Sequence, residues 1–257
     1  MINKPILNND APPRAEYPLL EILYKDDHLV AINKPSGLLV HRSPIDPRET
    51  RFAIQQTRDQ IGQRVYPAHR LDKPTSGVLL FALDSETAGV LGEQFRNRTV
   101  EKTYLAVVRG YAEEQGHIDH ALREQLDKAA GSAADSEAPK EAKEAITDYR
   151  CLLKTELLHP VGRYPTTRYS LVELSPKTGR KHQLRRHMKH IFHPIVGDTT
   201  HGDGKHNQFF REHFDCHRLL LHSRSLQVKH PHTGEIITIY APLPEDFDLT
   251  AFSDESI

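Results

Sequence analysis

The run VLLFAL, from Val78 to Leu83, limits the fold of this chain more than any other segment. It is short, it is apolar at every position, and a turn-forming residue, Gly77, precedes it. Successive side chains of a strand point to opposite faces of a sheet, so a strand without polar positions is buried on both faces. The chain is therefore expected to build a sheet around this buried strand.

Other short segments predict further strands and a few helices. Apolar runs at residues 22–24 and 29–32 flank Lys-Asp-Asp, which predicts a hairpin that opens the folded region near Leu19. Helical spacing predicts one helix from Ser85, as its N-cap, through Phe95, and a second helix in RKHQLRRHMKHI. Strands are expected in TYLAVVRG, in RYSLVEL and in a C-terminal hairpin of SLQVKHP and EIITIYAP. Because strands and helices do not alternate regularly, we expect an α+β protein.

The composition predicts one folded domain over residues 19–245 with less ordered segments around it. Residues 1–18 are polar and rich in proline, which is typical of a flexible leader, and residues 246–257 are expected to form a tail. Residues 128–145, KAAGSAADSEAPKEAKEA, contain no large apolar side chain that would anchor them in a core. They are expected to form a mobile surface insertion.

Charge and cysteine content exclude several classes of protein. The chain has 34 lysines and arginines against 35 aspartates and glutamates, so a polyanionic partner would have to be bound by local charge. Cys151 and Cys216 lack metal-type spacing and are expected to be reduced thiols. No signal-peptide core and no run near the ~18 apolar residues of a membrane span occur. We expect a soluble, cytoplasmic protein with no membrane partner, and a monomer.

Residues 175–197 form a basic stretch that contains no aspartate or glutamate. A solvated helix face usually mixes charges of both signs, because pairs four residues apart stabilise it. The absence of acids here instead predicts a site for a polyanion, whose phosphates the cations would contact. The six cations are Lys177, Arg180, Lys181, Arg185, Arg186 and Lys189.

Four histidines of the basic stretch offer an alternative, because neutral imidazole is a common metal ligand. Metal sites usually add a carboxylate or a thiolate, and this stretch has neither. We therefore expect no metal site and interpret the histidines as hydrogen-bonding and phosphate-contacting groups. They are His182, His187, His190 and His193.

The segment HRLDKPTSG directly before the apolar strand contains a single carboxylate, Asp72. One interpretation is an Asx-type turn, in which the side chain accepts backbone N–H groups. A two-carboxylate glycosidase would need a second acid about 5–10 Å away, and neither this loop nor the basic stretch offers one. A lone nucleophilic aspartate, kept ionised by an arginine of the basic stretch, fits the sequence better.

Three motifs occur in the order found in the RluA-type pseudouridine synthases. HRLDKPTSG resembles the catalytic motif of that family, TGRKHQLRRH resembles its third motif, and NKPSGLLVH is similar to its first. The similarity extends from about Leu19 to Pro242. It implies the pseudouridine synthase fold, a mixed and largely antiparallel sheet with flanking helices and a central active-site cleft. It also implies an isomerase that needs no cofactor and no metal.

The resemblance assigns roles to individual residues. Asp72 matches the catalytic aspartate, Tyr104 the active-site tyrosine that lies against the base, and Arg185 the basic residue that pairs with the aspartate. Leu184 is expected in an apolar wall, and Arg70 is expected to enter the space that a flipped uridine leaves. Further substrate-binding residues implied by the motifs and the basic stretch are Lys34, His69, Arg180, Arg186 and Lys189.

The expected substrate is tRNA. Within the family, GRYPTTRY, IVGDTTHGD and HRLDKPTSGVLL together resemble the synthases that act on uridine 65 of tRNA. Ribosomal RNA is the alternative substrate, and a non-catalytic RNA-binding protein is a second alternative, against which Asp72, Tyr104 and Arg185 argue. About 18 residues precede the similar region, so we expect the catalytic domain itself to hold the RNA.

Overall fold

The computed structural model describes residues 18–42, 48–123 and 141–247, which form one ten-stranded sheet and four α-helices. The strands are β1 (Ile22–Lys25), β2 (Leu29–Lys34), β3 (Tyr66–Pro67), β4 (Ser76–Ala82), β5 (Glu101–Arg109), β6 (Gln115–Asp119), β7 (Ile146–Leu157), β8 (Thr167–Pro176), β9 (Leu221–Lys229) and β10 (Ile236–Tyr240). The helices are α1 (Ala53–Ile61), α2 (Ser85–Arg96), α3 (Gln183–His190) and α4 (Gly204–Phe214), followed by a 3₁₀ turn at Glu245–Phe247.

The sheet is mixed and largely antiparallel, which confirms the predicted α+β class. Its strands lie in the order β1-β2-β4-β9-β5-β8-β7-β6, with β10 paired to β9 and β3 to β4. Among these ten strands, β4 and β9 form the one parallel pair, with Ser76 opposite His222 and Gly77 opposite Ser223. Gly77 (φ 106°) permits this close approach, because a Cβ atom there would lie 2.2 Å from the carbonyl oxygen of Ser223.

Strand β4 is buried on both faces, as its sequence predicts. Leu79 and Phe81 belong to an apolar cluster that includes residues of α1 and α3. Val78 and Leu80 belong to a second cluster, which includes Leu91 of α2. Alternate side chains of β4 therefore pack against helices on opposite faces of the sheet. A polar loop leads into the start of the strand.

Most local elements follow the sequence signals, with two corrections. The hairpins β1–β2 and β9–β10 are present. The N-cap of α2 is Asp84 rather than Ser85, because the Asp84 carboxylate accepts the Thr87 N–H at 2.8 Å. Helix α3 begins only at Gln183, since His182 has a left-handed backbone conformation (φ 54°) that helices do not contain.

The domain limits differ slightly from those expected. Phe247 is fully buried in a third apolar cluster with residues of α4, so the folded region passes residue 245. The insertion expected at 128–145 lies mostly outside the described residues, as do the leader up to residue 17 and the chain beyond 247. At the end of that insertion, Ala145 is buried and Lys143 bridges Leu122, so this part belongs to the fold.

No described helix is long enough to cross a membrane. The longest is α2 with 12 residues, against the roughly 20 apolar residues that a transmembrane helix needs.

Candidate active site

Two loops that are distant in sequence hold each other at the start of β4. Lys34 ends β2, and Asp72 lies in the loop that leads into β4. The Lys34 ammonium donates to the carbonyl oxygens of Pro35 at 2.8 Å, Leu38 at 2.7 Å and Lys73 at 3.1 Å. The backbone next to Asp72 is therefore attached to the turn of the first motif.

The position of Lys34 corrects its predicted role. An ammonium has three N–H groups, and all three are used here. The residue also has no exposed surface, so it has no donor left for RNA. Burial, with the charge of Arg218 nearby, lowers the pKa of Lys34 to about 7. Lys34 therefore braces the loop that contains Asp72, and its burial argues against contact with substrate.

The carboxylate of Asp72 faces two side chains from the start of α3. Its Oδ2 lies 3.5 Å from Nη1 of Arg185 and 3.9 Å from Nε2 of His182. The Asp72 side chain is 22% exposed, whereas that of Arg185 is 4% exposed. The structure thus brings Asp72 and Arg185 together, with the carboxylate on the open side of the pair.

Arg185 has a second and closer carboxylate partner that the sequence analysis missed. Its Nε and Nη2 donate to the two oxygens of Asp198, both at 2.7 Å. Burial alone would raise the pKa of Asp198, but hydrogen bonds and charge from Arg185 hold it below its ordinary value. Asp198 is the first acid after the acid-free basic stretch, which is the one sequence signal that marks it.

His182 extends the site toward the loop after Asp198. Its Nδ1 lies 3.0 Å from Nε2 of His201, whose backbone N–H donates to Asp198 at 2.9 Å. Burial lowers the pKa of His182 and that of His201, the latter to about 4. Both rings are therefore neutral near pH 7.

Tyr104 and Leu184, the predicted aromatic and aliphatic walls of the site, are both buried in the core beside it. Tyr104 lies on β5 at a bulge in the pairing with β9, and bulges re-aim side chains. It shares an apolar cluster with Leu184 and Leu71. Burial raises the pKa of Tyr104 to about 12, with a further contribution from the negative charge of Asp72, so the ring is a neutral phenol.

The remaining predicted contact residues divide into outer and inner groups. Arg70 and Lys189 are exposed. Arg180 and Arg186 are half-buried and donate to the carbonyl oxygens of Glu144 and Arg123, each at 2.9 Å. All four cations thus keep some or all of their surface open to solvent.

His69 and His187 are hydrogen-bonded within the fold, but only His187 is fully buried, which corrects its predicted contact with RNA; the half-buried His69 stays a predicted contact. His69 Nε2 accepts the Leu80 N–H at 3.1 Å, its ring stacks on Phe95, and burial lowers its pKa to about 3. His187 is fully buried between Thr147 Oγ1 at 3.0 Å and the His120 carbonyl at 3.1 Å. Both rings are thus hydrogen-bonded to the protein.

The histidines that could have held a metal do not form the one metal-like group among the described residues. That group is His28, Asp84 and His232, whose ligand atoms lie within 4.8 Å of one another. Both Asp84 oxygens already accept bonds from Thr87, and the two imidazoles stack at 3.5 Å. The capping of α2 by Asp84 and the stacking of the two imidazoles therefore account for this group.

A sequence model of the family described as RNA pseudouridylate synthase matches residues 28–190 of this chain. The match covers more than half of the 257 residues and includes Asp72, Tyr104 and Arg185. The chain belongs to the RNA pseudouridylate synthase family and is an isomerase of that class.

The chain is also similar to individual members of this family. The tRNA pseudouridine synthase C of Vibrio parahaemolyticus is 57% identical over 226 residues, which cover 88% of this chain and 91% of the relative. The protein of the same name from Haemophilus influenzae is 58% identical over 229 residues, or 89% and 95%. The solved structure of human RNA Pseudouridylate Synthase Domain Containing 1 has a TM-score of 0.67 at 30% identity and covers 88% of this chain and 84% of its own.

Proposed function

We propose that the protein isomerises a uridine of tRNA to pseudouridine, with uridine 65 as the favoured position and Asp72 acting on the flipped-out nucleoside. The observation that carries this proposal is the geometry of Asp72, partly exposed and 3.5 Å from the buried guanidinium of Arg185. The tRNA substrate is supported by relatives named tRNA pseudouridine synthase C that are 57–58% identical.

The proposed isomerisation requires a carboxylate that acts on the nucleoside and walls that retain the detached uracil. The N1–C1′ bond of uridine breaks, a C5–C1′ bond forms, the proton on C5 leaves and N1 gains a proton, so the reaction is an isomerisation without a redox step. Asp72 supplies the carboxylate that acts on the nucleoside. The detached uracil has to turn without escaping, and the ring of Tyr104 with the side chain of Leu184 offers an aromatic face and an apolar wall.

The uridine has to leave the RNA stack before Asp72 can reach it, at a cost of a few kcal/mol. Arg70 adjoins the catalytic loop and is exposed, so its guanidinium is suited to the space that the base leaves. We expect Arg70→Ala to lower turnover on folded tRNA more than on a single-stranded oligonucleotide with the same uridine. Equal losses on both substrates would remove Arg70 from the flipping step.

The outer cations of the basic stretch, Arg180, Arg186 and Lys189, would contact phosphates. Each lost contact should reduce the slope of log affinity against log salt by about 0.7–0.9. We expect Arg186→Ala and Lys189→Ala to weaken tRNA binding in this way without changing the modified position. Lys25→Ala, at an exposed site on β1, is the matched control. An unchanged slope in both variants would move the RNA surface elsewhere.

Release of tritium from C5 of uridine in a tRNA transcript measures the reaction. We expect release by the wild type and less than about a thousandth of that rate with Asp72→Asn, which keeps the shape of the side chain but not its charge. Binding of tRNA should persist in this variant. Appreciable release by Asp72→Asn would contradict the role of the carboxylate.

Mapping of pseudouridine in cellular RNA distinguishes tRNA from ribosomal RNA as the substrate. In RNA from cells that lack the gene, a pseudouridine-selective reagent should find position 65 of tRNA unmodified. Modification of a 23S rRNA fragment with tRNA untouched would replace the substrate and leave the reaction class standing. Tight binding of RNA without tritium release by the wild type would favour a non-catalytic RNA-binding protein.

We also propose that the protein acts in the cytoplasm as a monomer. Light scattering of the purified protein tests the oligomeric state.

A further inference from the structure

His182 and His201 lie beside the reacting carboxylate, and the proposed reaction leaves them without a role. His182 Nε2 is 3.9 Å from Asp72 Oδ2, and His182 Nδ1 is 3.0 Å from His201 Nε2. The two rings meet edge to face, at 74° and 5.3 Å between centroids. A chain of contacts therefore leads from Asp72 through His182 to His201.

The backbone holds His182 in a costly conformation. Its φ of 54° is left-handed, a region that few non-glycine residues occupy and that costs about 1–3 kcal/mol. Residue 182 is the N-cap of α3, yet its side chain makes no capping hydrogen bond. Helix capping therefore does not explain the histidine, whose ring instead contacts His201 and faces Asp72.

Asp198 positions Arg185 directly and the loop of His201, the partner of His182. One of its oxygens accepts the backbone N–H of His201 at 2.9 Å, and both oxygens bind the guanidinium of Arg185 at 2.7 Å. The loop that presents His201 and the side chain of Arg185 are thus fixed by one buried carboxylate.

The hydrogen bond between the two rings limits their tautomers. A neutral imidazole has one N–H and one acceptor nitrogen. If His201 donates from Nε2 to His182 Nδ1, His182 carries its own proton on Nε2 and directs it at the Asp72 carboxylate. The opposite arrangement would turn the Nε2 lone pair of His182 toward that carboxylate, which is repulsive.

We propose that His182, oriented by His201, is a positioning residue that donates its Nε2–H to Asp72. Arg185 and His182 then hold the carboxylate from two sides while its remaining lone pairs face the nucleoside. Catalytic hydrogen bonds often shorten once substrate is bound, and the 3.9 Å separation is within the reach of such a movement. The kinetic part of this inference rests on the proposed function, and the tautomer part does not.

Nitrogen-15 NMR of the full chain, labelled at histidine, tests the tautomers without RNA. Spectra of His182→Asn and His201→Gln proteins assign the signals, and asparagine tolerates the left-handed backbone at position 182. We expect the proton of His182, and that of His201, on Nε2. A proton on Nδ1 of His182 would overturn the proposal.

Kinetics with two variants at one position separate orientation from mere packing. His201→Leu removes the donor, whereas His201→Gln keeps an amide N–H at similar reach. We expect His201→Leu to lower kcat by about tenfold or more with KM little changed, and His201→Gln to recover most of the rate. His117→Leu, with a 61% exposed side chain on the edge strand β6, is the control.

Two kinetic results would overturn this inference. Normal kcat in His201→Leu would overturn it, as would a His201→Gln protein as slow as His201→Leu. Melting temperatures of both variants show whether a loss of rate is only a loss of fold. A wild type that isomerises no RNA would remove the proposed function, and the NMR result would still decide the tautomer of His182.

Discussion

Replacing Lys34 with methionine removes the ammonium that joins the two loops at the start of β4. Methionine has a similar length but no N–H, so the carbonyl oxygen of Leu38 loses its donor in a buried place, whereas that of Lys73 still accepts the Gly37 N–H at 2.9 Å and Pro35 is exposed. A buried acceptor without a partner costs about 1–3 kcal/mol, and relief from burying the protonated ammonium offsets this cost at low pH. At pH 9, where Lys34 is uncharged in the folded protein, we expect the free energy of unfolding to fall by about 1–3 kcal/mol.

The effect of this substitution also depends on pH, with a definite sign. Burial lowers the pKa of Lys34 from 10.5 to about 7 in the folded protein. Between these values the unfolded chain keeps a proton that the folded protein has lost, so the wild-type free energy of unfolding rises with pH. The variant lacks this gain. From pH 7 to pH 9 its deficit should grow by about 2–3 kcal/mol, at about 1.4 kcal/mol for each pKa unit.

Urea denaturation followed by circular dichroism measures both quantities. Wild type, Lys34→Met and the exposed control Lys25→Met are compared at pH 6 and at pH 9. Turnover should also fall, because the braced carbonyl of Lys73 adjoins Asp72. A deficit below about 1 kcal/mol at pH 9 would refute the brace, and an equal deficit at both pH values would refute the lowered pKa.

Three further predictions concern other parts of the site. Arg185→Lys should lower turnover about a hundredfold, because an ammonium cannot bond both oxygens of Asp198 and also reach Asp72; near-normal rates would assign the pairing elsewhere. Gly197→Ala should lower stability by more than about 2 kcal/mol, since its φ is 78° and a Cβ would lie 1.9 Å from the Arg218 carbonyl oxygen. Thermal melting against Gly179→Ala, where a Cβ meets nothing within 4 Å, checks this. Isomerisation should persist in excess EDTA, and a loss that zinc restores would revive the histidine-metal interpretation.

The predictable parts of this protein are those whose signals are local in sequence. VLLFAL is apolar at every position, so a strand with two buried faces followed directly, and β4 has them. The loop before it was singled out because a carboxylate stands beside a Pro-Thr-Ser-Gly turn. Its attachment to Lys34 was not predictable, since it depends on β2 lying next to β4, and lysine is a residue that is almost never fully buried.

Burial of histidine limited the prediction of contact residues in the same way. The family motif implied contact with RNA for His69, and the acid-free basic stretch favoured it for His187. In the fold, His69 accepts the Leu80 N–H and His187 fills a buried position on α3 against Thr147. A histidine can use its donor and its acceptor nitrogen inside the protein as well as at the surface, and the tertiary packing decides which.

The two carboxylates beside Arg185 differ in their contacts with it, which explains why the site needs Asp198 as well as Asp72. A buried guanidinium without a partner would be strongly destabilising, and a bidentate carboxylate is the partner that suits it best. If Asp72 were that partner, both its oxygens would be occupied and the carboxylate would be poorly placed to act on a nucleoside. With Asp198 1% exposed and bonded through both oxygens, Arg185 is held in place and presents Nη1 to Asp72, 3.5 Å away and 22% exposed. One acid therefore fixes the cation, and the other keeps lone pairs free for the reaction that we propose for it.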